Sequence, residues 1–226
     1  LYDVAEGARD AKLPNVSFAD VYARLSERIY QNIDNYDKPD HLNKTSGIFL
    51  DAFLDPLRFY AEGVLEQDVE KLQRVPEHWR LAFFAPKVRE TLPVAQFYMG
   101  MTAHIEGDLA QVLADSGVDE EYYHDYTHKV GEEIRQTSEE LAPALLPAGS
   151  HALSKLVLPL VNASIANERQ ASWDGSIEIT AARKVGDLDK EFTVINQLES
   201  RASRQINAVR HMGYAATRVG RLLRVV

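Results

Sequence analysis

The stretch Val94-Ala95-Gln96-Phe97-Tyr98-Met99-Gly100-Met101-Thr102-Ala103-His104-Ile105-Glu106-Gly107-Asp108-Leu109 decides the fold. Its apolar residues Val94, Phe97, Tyr98, Met101, Ile105 and Leu109, continued by Val112, return at steps of three and four, the period of an amphipathic helix. Two polar groups interrupt that stripe. His104 and Asp108 stand four residues apart, which puts both side chains on one helix face, a turn from each other. Burying an imidazole and a carboxylate is costly without partners, so the pair marks either a site or an internal polar lock. Glu106 and Gln111 fall around the far side of the same helix.

The helical period runs outward in both directions. Toward the N-terminus, Ser17 is expected to cap a helix carrying Phe18, Val21, Tyr22, Leu25, Ile29 and Ile33. The turn Asn35 to Pro39 ends it, and Asp40 is expected to cap a second helix to about Gly63. Pro56 should kink that helix or start a new segment. Short helical pieces follow over Leu65 to Gln73 and beyond Pro76, the latter carrying Trp79, Leu81, Phe83 and Phe84. Thr91 or Pro93 opens the His104 helix, which ends near Gly117.

Toward the C-terminus, Asp119 is expected to cap a helix over Glu120 to Leu141, and Pro143 to Gly149 reads as a loop. A long helix from His151 to Val185, bent by Pro159, is broken at Gly186-Asp187, and a last helix runs to about Leu223. Alternation of strand type never persists. The sequence therefore predicts an all-α, single-domain helical bundle of roughly six to eight helices over residues 1–226, with residues 1–16 as an extended N-terminal arm.

Composition narrows the function classes. Hydrophobic residues make up 45%, enough for a sizeable core without staples. Cysteine is absent, which rules out disulfides, thiolate catalysis and cysteine-bound metals. A net charge of −9 argues against a nucleic-acid partner, since phosphate neutralisation needs clustered Lys and Arg. The C-terminal arginines Arg201, Arg204, Arg210, Arg218, Arg221 and Arg224 read as the solvated basic face of a terminal helix. No apolar stretch is long enough for an integral membrane segment. The absence of cysteine fits a cytoplasmic location, and no leader pattern is seen. The chain starts at Leu1 rather than Met, however, so a removed leader, and with it secretion, stays open.

Two further polar residues break apolar patterns elsewhere. Asp51 lies within Ile48-Phe49-Leu50-Asp51-Ala52-Phe53-Leu54, a run apolar all round and so expected to be central. Arg169 falls on the stripe Val161, Ile165, Arg169, Trp173, Ile177 at steps of four. Asp51, His104, Asp108 and Arg169 are thus expected to meet inside the bundle. They would form either a salt-bridge lock or the polar floor of a small-molecule pocket walled by Phe97, Tyr98, Met101 and Trp173.

Metal ligation is the weaker alternative. His104 with Asp108 and His128 with Glu132 repeat a His-x-x-x-carboxylate spacing that could hold zinc, a rhythm that resembles the ligand pattern of all-helical zinc-dependent phospholipases C. His124 and His128 read more simply as a solvated helix start. No nucleophile elbow, phosphate loop or dinucleotide fingerprint is present. No cofactor is therefore expected apart from that zinc alternative.

Several segments together resemble an uncharacterised bacterial family, the domain of unknown function numbered 5995. They are Phe49-Leu50-Asp51-Ala52, His78-Trp79-Arg80, Met101 to Leu109, His124-Asp125-Tyr126, Ala166 to Trp173 and Gly220-Arg221-Leu222-Leu223. The resemblance covers the chain from about Phe18 onward and implies a bacterial, cytoplasmic protein. It also implies that Asp51, His104, Asp108, Arg169 and Trp173 form a shared polar core. His128 departs from the family pattern, which weakens the zinc alternative.

The residues point to an enzyme working by acid–base chemistry, such as an isomerase, cyclase or hydrolase, on a small or lipophilic organic ligand. His104 would act as acid or base, Asp108 or Asp51 would orient it, and Arg169 would bind an anionic group. The competing classes are a metal-dependent hydrolase and a non-catalytic binding or interaction module with the same quartet as a lock. The pattern does not bear on oligomeric state.

Overall fold

The computed structural model describes residues 1–10, 16–83, 93–117, 120–145 and 151–223. Among them every regular element is helical, so the chain is an all-α bundle. The α-helices are α1 (Tyr2–Asp10), α2 (Val16–Gln31), α3 (Pro39–Leu65), α4 (Val69–Gln73) and α5 (Glu77–Phe83). They continue as α6 (Pro93–Thr102), α7 (Leu109–Ser116), α8 (Val130–Leu145), α9 (His151–Val185) and α10 (Leu188–Leu223). Two π-helical turns are inserted, Ala103–Asp108 between α6 and α7, and Asp125–Lys129 ahead of α8.

Element ends follow local chemistry. Pro39 opens α3 at a position where its missing N–H costs nothing, one residue before the expected Asp40 cap. Asp68 caps α4 by accepting from the amides of Glu70 and Lys71. Asp187 does the same for α10, its Oδ1 2.9 Å from the Lys190 amide. Gly117 and Gly186 end α7 and α9 with φ of 89° and 70°, a region that side chains with a Cβ disfavour. α3 and α9 run on through Pro56 and Pro159 without starting new segments. The expected arm over residues 1–16 is instead helical from Tyr2 to Asp10 and packs on α2, with Ala5 buried in the core. The expected Asp119 cap, Phe84 and Thr91 lie outside the described residues.

The run α6, π turn, α7 is the axis of the bundle. α2 and α10 cover α6, α3 and α9 cover α7, and α3, α5, α9 and α10 surround the π turn. The core around it holds Phe18, Phe53, Trp79, Phe83, Phe97, Met99 and Leu113. Each such side chain contributes about 1.5–3 kcal/mol by leaving water. That is enough to force the polar residues of the π turn inside with them. No described helix is long and apolar enough to cross a membrane.

Candidate functional site

The first π turn positions the site. A single π-helical turn breaks the regular i→i−4 ladder and re-aims side chains, and such turns recur at functional sites. Here Ala103, His104, Ile105, Glu106 and Gly107 are all buried. The Ile105 carbonyl is satisfied from outside the helix: Ser172 Oγ on α9 donates to it at 2.7 Å. This keeps the buried backbone hydrogen-bonded where the helical ladder changes pitch.

Asp108 gathers three donors. His78 Nε2 lies 2.9 Å from its Oδ1, while Trp79 Nε1 at 2.9 Å and His104 Nδ1 at 3.2 Å share Oδ2. Burial by itself raises the Asp108 carboxyl, but the charge of His78 and the hydrogen bonds from His104 and His78 outweigh it and hold the group below the usual carboxylate range. An ionised carboxylate only accepts, so both imidazoles donate to it. Gly107 makes the His78 contact possible: a Cβ there would sit 2.6 Å from the His78 ring.

That arrangement fixes the tautomer of His104. Burial pushes its pKa down, and the hydrogen bond and charge of Asp108 restore only part of the loss, so the ring is neutral. Nδ1 carries the proton and Nε2 keeps its lone pair. Nε2 is buried and has no hydrogen-bond partner. The ring is also clamped: Phe49 stacks on it at 3.5 Å between centroids and 4° between planes, and Tyr22 meets it edge-on at 4.9 Å.

His104 lines a cavity of ≈ 350 Å³ whose remaining walls are mostly apolar, from α2, α3 and the start of α8. Tyr22, Leu25, Ile29, Phe49, Leu50 and Met101 make much of that surface. Its few polar features include the hydroxyl of Thr45, buried with no hydrogen-bond partner, and the side chain of Arg169. The size and the mix of hydrocarbon wall with few polar groups match a small-molecule site.

Arg169 reaches the cavity from α9 and is only 6% exposed. Nη2 donates to the Tyr126 carbonyl in the second π turn, and the guanidinium carbon lies 4.3 Å from the centroid of the Tyr126 ring. Tyr126 in turn donates its hydroxyl to the Arg169 carbonyl at 2.6 Å. α9 thus braces both π turns, through Ser172 and Arg169.

The expected quartet is only partly assembled. His104 and Arg169 line one cavity, and Asp108 stands behind His104. Asp51 does not join them: it is exposed on the outer face of α3, in line with the exposed Asp55 and Arg58. Of the expected wall, Met101 lines the cavity. Phe97 packs in the core away from it, and Trp173 packs on Tyr123 and Tyr126. Tyr98 donates to Glu168 at 2.8 Å on another side of the helix.

The two-pair zinc alternative does not assemble. His104 is buried, whereas His128 and Glu132 are exposed, and Glu132 is paired with Arg135. Among the described residues the one grouping with metal-ligand spacing is Asp37, His124 and Asp125, and Lys129 already bridges its two carboxylates at 2.8 Å each.

Several participants escaped the helical-period reading. His78 and Trp79 are the partners of Asp108, and their adjacency in His78-Trp79-Arg80 was the available signal. Glu106, expected on the far side, is fully buried against α10, where Arg201 Nε pairs with its Oε1. Neither Glu106 oxygen accepts a well-directed hydrogen bond, and burial raises its pKa to about 7 against the partial relief from Arg201. Glu168 beside it is likewise raised by burial.

Fold and site together define an all-helical protein with a largely apolar cavity and a carboxylate-oriented histidine on its wall. The chain belongs to the family of unknown function DUF5995, whose model matches residues 1–212. No curated protein and no solved structure matches it.

Proposed function

We propose that the protein is an enzyme that performs acid–base chemistry on a small lipophilic organic molecule held in the cavity. One observation carries this reading: His104 lines an apolar cavity and is neutral, its Nδ1–H held by ionised Asp108, while its Nε2 is buried with no hydrogen-bond partner. That is the arrangement a general base requires, with geometry, tautomer and protonation state all set. His104 takes a proton from a carbon or oxygen acid of the substrate, and the Asp108 carboxylate stabilises the imidazolium that forms. The clamp of Phe49 and Tyr22 holds the ring for the return of the proton. Exclusion of water by the apolar walls strengthens each of these electrostatic contacts. A cytoplasmic setting accords with the lack of cysteine.

The test is proton transfer itself. The protein is incubated in D2O with a panel of medium-chain ketones, enones and esters, and deuterium incorporation or product is read by NMR and mass spectrometry. Turnover by the wild type should fall by about 10²–10⁴-fold in His104→Gln. The rate should climb with pH along a limb lying below 6.5, the ordinary imidazole value, because burial depresses His104. Turnover that survives in His104→Gln would sink the reading.

A second reading is favoured by Asp108 alone. Its two oxygens tie α5 to the π turn through three donors, as an internal lock would. A module that binds a ligand without turnover would keep that network and show no exchange in D2O.

A further inference from the structure

We propose that the ligand of this cavity is a lipophilic monoanion, a carboxylate on an apolar tail, with Arg169 as the residue that binds its head. This rests on the reading above only in taking the same cavity as the substrate site; it does not require that His104 be catalytic.

The argument begins with charge. A buried guanidinium without a counter-anion is costly, and proteins pair such groups as a rule. Among the described residues no carboxylate pairs with Arg169; its partners are a backbone carbonyl and an aromatic face. Asp125, on the same π turn as Tyr126, is engaged elsewhere, with Oδ1 2.8 Å from Lys129 Nζ and Oδ2 2.7 Å from the Lys38 amide. The phenols nearby supply no anion either. Burial raises Tyr122 and Tyr126 well above the usual phenol range, and the charge of Arg169 opposes this only in part. Asp108, the other ionised group of the centre, is fully engaged by His78, Trp79 and His104. One positive charge therefore stands at the cavity wall uncompensated by protein.

The cavity specifies the rest of the ligand. Leu25, Ile29, Leu42, Leu50 and Ile134 present hydrocarbon, so the body that fills it is apolar. A single guanidinium matches a single negative charge, and its planar fork suits a carboxylate. The unpartnered Thr45 hydroxyl, also on the wall, adds one hydrogen bond for a polar atom along the tail or at the head. Gly131 leaves the space beside the guanidinium open: a Cβ there would stand 3.2 Å from Arg169 Nη1.

Isothermal titration calorimetry on the full chain tests this with hexanoate, octanoate and decanoate. Each is compared with its own primary alcohol and its own alkylammonium, and acetate serves as the head without a tail. At least one carboxylate should bind saturably at one site, about tenfold or more tighter than its alcohol. Acetate and the alkylammonium ions should not bind. Arg169→Met should erase the preference for carboxylate over alcohol.

Equal affinity for acid and alcohol, no saturable binding of any carboxylate to the wild type, or a preference that persists in Arg169→Met would each overturn the proposal. If Arg169→Met does not fold, the wild-type comparison of acid, alcohol and ammonium decides alone. Arg169-dependent carboxylate binding with no exchange in D2O would leave this proposal standing and end the catalytic one. His104-dependent turnover of neutral substrates without carboxylate preference would do the reverse.

Discussion

The two π turns of this bundle each hold a buried charge, and they treat it in opposite ways. At Ala103–Asp108 the charge belongs to the turn itself: Asp108 receives three N–H donors and is closed to anything else. At Asp125–Lys129 the turn's own Asp125 is satisfied by Lys129 and the Lys38 amide, but a second charge arrives from α9: Arg169 takes one carbonyl and one ring face and meets no anion among the described residues. A satisfied charge holds its neighbours in place, and an unsatisfied one waits for a partner. Glu106, on the opposite side of the first turn, falls between them, with one half-exposed cation and no directed hydrogen bond.

Asp108→Ala should break the comparison hardest. It strands His78, Trp79 and His104 at once in a buried site, and loss of one partner from such a network costs about 3–5 kcal/mol. Urea denaturation should show a lowered midpoint with an unchanged slope. A loss under 1 kcal/mol would mean that the carboxylate is not the lock described here.

Glu106 sharpens the comparison through pH. Its folded pKa of about 7 stands above the ordinary 4.5, so between those values the folded chain holds a proton that the unfolded chain has released. Stability from this group is therefore full below pH 4.5, declines as pH rises and is lost above about 7, by at most about 1.4 kcal/mol per pH unit. Glu106→Gln should flatten that decline in thermal melts taken across the same range. An unchanged slope would show that Arg201 and Arg204, facing Glu106 from α10, outweigh burial and the like charge of Glu168 on α9 and leave it ionised throughout.

Arg169→Met should have the smallest effect on the free protein. The variant loses one hydrogen bond to the Tyr126 carbonyl but also removes an uncompensated charge, so the melting free energy should move by less than about 1 kcal/mol. A loss of several kcal/mol would make Arg169 a second lock and erase the contrast with Asp108.

Much of the fold was legible because helices announce themselves locally. The spacing of Phe18, Val21 and Tyr22, the break at Gly186-Asp187 and the end at Gly117 are all where the pattern put them. His104 with Asp108, and Arg169, stood out for the same reason, as polar residues on apolar stripes. Asp51 misled because its segment is apolar all round, and a helical wheel with no polar face cannot say which side is out. The exposed line Asp51, Asp55, Arg58 was the quieter signal of the outer face. Glu106 misled in the other direction: a regular helix would turn it outward, but α10 packs over that side of the π turn.

Ser17 and Asp40 were not the caps expected, and α8 runs through Pro143 to Leu145 where a loop was expected. By itself the sequence determined most of the helices, the breaks at Gly117 and Gly186 and several residues that could not be ordinary surface, since period and breakers act within a few residues along the chain. Which of those residues meet was decided only by the tertiary structure. His78 and Trp79 reach Asp108 across 30 and 29 residues, and Arg169 reaches Tyr126 across 43. Contacts of that range depend on how whole helices pack and where a π turn shifts the register, and no local pattern records either.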